Sequence, residues 1–141
     1  MNSLFRVSER NHFGLIFMTQ LATLEEGLYL SVKDAAEAMG MSLGYLEEIA
    51  IGLKQKGLIE GRQGPNGGYR LAKPASEISA KDVVEALEGP VALVACMDGG
   101  CPVEGKCGSK KLWGFLQKNV LQTLDTTSIG DLSTSLEMTR T

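Results

Sequence analysis

Between Ser31 and Gly57 the chain starts and stops a helix twice, and that spacing narrows the folds open to it. Ser31 and Asp34 stand in capping-box spacing ahead of "AAEAMG", where Gly40 supplies a stop, so a short helix is predicted over 32–39. Ser42 is the N-cap of the next helix, whose Leu46, Ile49, Ala50 and Leu53 form an apolar stripe ending near Gly57. Two helices joined by so tight a turn are what a helix-turn-helix requires. The period then changes. "GLIEGR" and "GGYRLA" are strand-like runs on either side of "QGPNG", whose Pro, Asn and Gly are turn chemistry, so a β-hairpin follows the second helix directly. The arrangement is a winged helix, with the helix at Ser42 suited to a major groove and the hairpin to the neighbouring minor groove or backbone.

The flanks complete a mainly α fold with one small β-hairpin. Phe13, Phe17, Leu21 and Leu24 share one face of a core helix expected from Ser8 to Leu24. Ser79 and Asp82 open another helix through Leu87, stopped by Gly89 and Pro90. Further on, Leu112, Phe115, Leu116, Val120 and Leu124 recur at helical spacing in a stretch too isolated to pack wholly on its own domain, which suggests a long C-terminal dimerisation helix. "TSIGDL" at 127–132 is expected to close that helix with one more capped turn, and the polar "STSLEMTRT" to fray. The expected division is a winged-helix DNA-binding domain over 1–90, a cysteine loop over 91–108, the dimerisation helix over 109–132 and a flexible tail over 133–141.

Composition narrows the function. No apolar run approaches the roughly 20 residues of a membrane span, and "MNSLFRVSERNHFG" lacks the pattern of a secretion leader, so the expected location is the cytoplasm. A net charge of −3 argues against a protein that coats nucleic acid, so DNA contact has to come from a local surface. Over 42–73 the cations Lys54, Lys56, Arg62, Arg70 and Lys73 face only Glu47, Glu48 and Glu60. That surplus is small per subunit and doubles in a dimer placed on two half-sites. Ser42, Gly44, Tyr45 and Glu47 occupy the first turns of the reading helix, where a glutamate accepts from cytosine N4. The same pattern also serves protein-interaction modules that bind no nucleic acid.

All three cysteines, Cys96, Cys101 and Cys107, lie within "CMDGGCPVEGKC". In a reducing compartment such a cluster binds metal or does redox work more often than it forms disulfides. Three readings stay open: unligated thiols, a structural zinc whose knuckles would be looser than usual, and an iron–sulfur cluster. Glycines at 99, 100, 105 and 108 let a short loop wrap a bulky centre and favour the last. With three thiolates close together on one loop, the 4Fe-4S form is preferred to 2Fe-2S. A fourth ligand is then missing. The lone His12 is ordinarily a capping or surface residue, but if the C-terminal helices cross in a symmetric dimer, His12 of the partner subunit comes beside the loop. There is no second histidine, phosphate loop or readable acid–base pair, so an enzyme is not expected.

Three stretches carry a family resemblance: "RVSERNHFG", the run "MSLGYLEEIAIGLKQKGLIEGRQGPNGGYRLAKPASEIS", and the cysteines ahead of the last long helix. Over nearly its whole length the chain resembles the IscR and NsrR group of winged-helix transcription regulators, the Rrf family. The resemblance implies a homodimer that binds double-stranded operator DNA, usually as a repressor, with a cluster that reports iron–sulfur status, iron, redox state or nitric oxide. It places Ser42, Tyr45 and Glu47 on the recognition helix, and Glu47 where the family uses a glutamate to choose between operator types. On the wing it implies DNA contacts from Arg62, Gln63, Pro65 and Asn66. Here Gln63 stands where the family has its minor-groove arginine, with Arg62 one place earlier. The family's histidine three residues after the third cysteine is Lys110 in this chain, and an ammonium has no lone pair to donate. In the nitric-oxide-sensing branch a carboxylate from the partner's first helix completes the site, and His12 occupies that place. Glu9 and Asp98 are the fallback ligands.

Overall fold

Five helices of this protein begin at a serine that accepts an amide hydrogen bond from three residues on: Ser8 from Asn11, Ser31 from Asp34, Ser42 from Tyr45, Ser79 from Asp82 and Ser128 from Asp131, at 2.9–3.2 Å. The computed structural model describes residues 6–93 and 108–139, with side chains as far as Thr134. Its elements are α1 (Glu9–Ala22), α2 (Val32–Met39), α3 (Leu43–Gln55), β1 (Ile59–Arg62), β2 (Gly68–Leu71), a 3-10 turn (Ala75–Glu77), α4 (Ala80–Glu88), α5 (Ser109–Thr126) and α6 (Ile129–Thr139). At Ser79 and Ser128 the cap is reciprocal, because Asp82 and Asp131 each accept the serine's own N–H at 3.0 Å. Two orphan donors are satisfied by one residue pair in each box, typically worth about 1 kcal/mol against alanine.

The core forms where α1, α2, α3, α4 and the hairpin converge. Phe17, Met18, Leu46, Ile49, Leu53, Ile78, Val83 and Ile129 are its largest fully buried side chains. Each large apolar side chain so removed from water contributes roughly 1.5–3 kcal/mol. The expected stripe of α3 is the buried one, whereas of the four positions expected on α1 Phe17 and Leu21 are buried, and Phe13 and Leu24 lie at the core's margin. Leu24 is beyond the helix end, because α1 closes with the N–H of Thr23 donating to Gln20 O and that of Leu24 to Leu21 O, both at 3.2 Å. Gly14 lies where α1 meets α4: an added Cβ would sit 2.3 Å from Leu87 Cδ1, so that side chain would have to move.

β1 and β2 pair antiparallel from Ile59 opposite Leu71 to Arg62 opposite Gly68. A third segment joins them that sequence periodicity does not foresee: Leu30 exchanges two backbone hydrogen bonds with Tyr69, both 2.9 Å. Position 68 has to be glycine, with φ at +144° and the place of a Cβ only 2.1 Å from the Leu30 carbonyl oxygen.

The C-terminal expectation needs correction. Residues 109–132 are not one helix: α5 ends at Thr126, the chain pairs Ser128 with Ser79, and Ile129 N donates to Ile78 O at 2.8 Å. The Ser128 box therefore starts a separate helix and does not close α5. α6 seats Ile129 in the core, packs along α1, and remains helical to Thr139 where a polar tail was expected from 133. The physical reason is anchorage, since one fully buried isoleucine and a main-chain bridge hold this segment against the fold.

Candidate nucleic-acid interface and thiol segment

α3 is divided along its axis. Leu46, Ile49, Ala50 and Leu53 face the core, while Ser42, Leu43, Gly44, Glu47, Glu48, Ile51 and Lys54 face solvent. Tyr45 is half-buried, its ring meeting Phe13 of α1 edge to face at 6.4 Å, which fixes its base while it stands at the helix start. The helix thus brings Ser42, Gly44 and Glu47 to one open surface with Tyr45 at its border. Sequence reasoning passed over Leu43 and Ile51, which are 43% and 51% exposed although apolar. The signal was present: both fall off the stripe that the helix buries, and exposed apolar groups on a reading helix suit thymine methyls.

On the wing, Arg62, Gln63, Pro65 and Asn66 are all exposed. The Arg70 Nε donates to Glu60 Oε1 at 2.5 Å, across the strand pair. That hydrogen bond is the main cause raising the Arg70 guanidinium's pKa above its ordinary value, with desolvation acting against it. Arg70 also lies over the ring of Tyr29, 4.7 Å from its centroid, and Arg62 lies 5.9 Å from the same ring. Between the start of α2 and the wing is an open cleft of about 420 Å³, lined by Tyr29, Ser31, Asp34, Arg62 and Asn66 among others.

Cys96, Cys101, Cys107 and Asp98 lie in 94–107, outside the described residues. The structure gives the two ends of that segment. Leu93 N donates to Gln117 Oε1 of α5 at 3.2 Å, and the chain re-enters at Gly108. Gln117 is eight residues into the helix, so the segment leaves beside α5 about 12 Å along its axis from where it returns. His12 is exposed on the first turns of α1, its ring tilted against Phe13 at 5.5 Å, and Glu9 is exposed one turn before it. Among the described residues no group of three His, Cys, Asp or Glu side chains is placed to hold a metal ion. A centre on this chain would therefore draw on the thiols of 94–107. As a donor set, three thiolates with one imidazole fit an iron–sulfur cluster or zinc.

α5 differs from its neighbours. It lacks a side-chain cap at Gly108 and buries none of its residues, leaving Leu112 53% and Phe115 66% exposed. No described helix is long and apolar enough to cross a membrane.

A helix-turn-helix with an exposed helix face and a following β-wing is the architecture of winged-helix DNA-binding regulators. The chain belongs to the Rrf2 family, whose model, described as "Iron-dependent Transcriptional regulator", matches residues 7–135. It is 31% identical over 134 residues to the HTH-type transcriptional regulator IscR of Escherichia coli, covering 94% of this chain and 83% of that one. Among solved structures, CymR, "the Global Cysteine Regulator of B. subtilis", superposes with a TM-score of 0.79 at 28% identity, over 93% of this chain and 98% of that one. T. potens IscR gives 0.79 at 28% identity, over 97% and 92%. Staphylococcus aureus CymR gives 0.72 at 35% identity, over 89% and 96%. The relatives are transcription regulators and not enzymes, and the expected family and winged-helix fold are both met.

Proposed function

We propose that this chain is a homodimeric repressor of transcription that binds a double-stranded operator and carries an iron–sulfur cluster on Cys96, Cys101, Cys107 and the partner's His12. The observation that carries the DNA half is the exposed face of α3 beside the wing. Ser42, Gly44, Tyr45 and Glu47 read the major groove, and Arg62, Gln63, Pro65 and Asn66 meet the adjacent backbone and minor groove. Glu47 is the selective contact, accepting from cytosine N4. Dimerisation is supported by α5, whose uncovered Leu112 and Phe115 ask for a second helix, and a two-fold pairing of α5 sets the spacing of the two α3 helices.

When bound, an iron–sulfur cluster supplies a centre sensitive to iron supply, redox state and nitric oxide. The chain's own residues provide the path from that centre to DNA. Ser8, the cap of α1, also donates to Glu88 Oε1 at 2.7 Å at the end of α4, which leads through Gly89 and Pro90 towards the thiols. α1 packs in turn on α4 and α3. Ligation by the partner's His12 would tie one subunit's α1 to the other's thiol segment and fix the distance between recognition helices. Regulation then follows from the difference in affinity between two dimer geometries. A cytoplasmic location belongs to this reading.

Operator fragments selected from genomic DNA and titrated with anaerobic and metal-stripped protein test the whole proposal. Sequence-selective binding that changes on stripping is expected; binding that ignores both sequence and stripping would refute it. His12→Ala should make the visible chromophore more labile to oxygen without lowering the fold's Tm. An unchanged spectrum and lifetime in that variant would remove the partner's His12 as a ligand.

A second reading is a regulator whose thiols bind zinc or no metal. It is favoured by the likeness to CymR, a cysteine regulator, at identities equal to or above that to T. potens IscR.

A further inference from the structure

We infer that Tyr29 is a positioning residue for DNA binding, a platform that holds Arg62 and Arg70 in place for the phosphate backbone. The inference rests on the DNA-binding reading and adds to it a residue that contacts no base. Leu30 pairs with Tyr69, and continuing that antiparallel register by one step sets Tyr29 opposite Arg70, which is itself opposite Glu60. Ring, guanidinium and carboxylate therefore form one cross-strand row. Arg62 is two residues from Glu60 and so shares its face of β1, which is why it too reaches the ring.

Tyr29 is half-buried, but unlike Leu30 and Tyr69 on either side of the bridge it is not among the side chains packed on the core. The two guanidinium groups are its distinctive neighbours. Gln63 stands where the family pattern puts the wing arginine, so the cations nearest the wing tip are the two that lie on Tyr29. An exposed arginine loses rotamer freedom when a phosphate fixes it, and prior stacking on a ring reduces that loss. Glu60 takes one N–H of Arg70, and a guanidinium has five.

The test uses the full chain and a mixed-sequence duplex, with binding read by fluorescence anisotropy over a salt series. Tyr29→Phe keeps the ring face and should bind as the wild type does. Tyr29→Leu should bind about fivefold to tenfold more weakly, from two exposed cation–π contacts, with the salt slope retained because the phosphate contacts are still made. Arg62→Gln with Arg70→Gln should lower the slope by about two. Adding Tyr29→Leu to that pair should then change nothing further, an outcome that general damage to the fold would not give. Undiminished binding by Tyr29→Leu, equal loss in Tyr29→Phe, or a Tyr29→Leu effect that persists without the arginines each overturns the inference alone. Wild-type protein that fails to bind the duplex at low salt overturns the DNA-binding reading and the inference together.

Discussion

α3 and α5 present similar apolar spacing in sequence, but α3 fully buries Leu46, Ile49, Ala50 and Leu53, while α5 fully buries no residue: Leu116 and Leu124 are half-buried and Leu112 and Phe115 stand open. α3 opens on a serine cap and α5 on Gly108 without one. Periodicity reports that a helix has an apolar face; it does not report what covers it. In α3 the cover is the rest of the domain. In α5 it is a second copy of the chain, on the function proposed above, so the two helices should respond oppositely to the same kind of damage.

The largest effect belongs to α3. Leu53→Ala removes a fully buried side chain from the core and should destabilise the fold by about 2–5 kcal/mol, read in chemical denaturation, with DNA binding lost in parallel. In α5, Phe115→Glu should leave the helical content and Tm of the winged-helix part intact and weaken self-association about tenfold or more in sedimentation. A variant that unfolds as Leu53→Ala does would show that α5 is covered within its own chain. Gly68→Ala sharpens the comparison at the wing. Its methyl would have to displace the Leu30 carbonyl from a backbone already at positive φ, at a cost of about 1–3 kcal/mol, with Leu30 and Tyr69 amides exchanging faster. The smallest effect is at the caps: Ser79→Ala and Ser128→Ala should each cost about 1 kcal/mol, placing α6 with the core and apart from α5.

That grouping also explains what was legible in the sequence. The caps at Ser31, Ser42 and Ser79, the stripe of α3 and the turn chemistry at 63–67 are local signals, and each element they announce is present. Ser128 and Asp131 repeat the spacing of Ser79 and Asp82, but the spacing alone does not tell a closing turn from a new helix. The deciding contact, Ile129 against Ile78, spans the distance between α4 and α6. Leu30 was missed because a one-residue strand has no period to detect. Tyr29 was missed because its partners Arg62 and Arg70 come near it only once that strand is paired. On the exposed surface the reading of Ser42, Gly44 and Glu47 needed only helix geometry, whereas Leu43 and Ile51 were passed over as ordinary apolar residues. The thiols lie outside the described residues, so their reading rests on donor chemistry and on the ends of the segment at Leu93 and Gly108.

The cluster is the part of the proposed function that separates a sensor from a simple DNA-binding dimer. Iron, zinc and acid-labile sulfide per chain, measured on anaerobically purified protein together with its visible spectrum, test it most directly. Iron and sulfide in near-equal amounts with thiolate-to-iron absorption is the result predicted here; zinc without sulfide, or protein free of metal, would contradict it and leave the thiols to the zinc-bound or metal-free regulator.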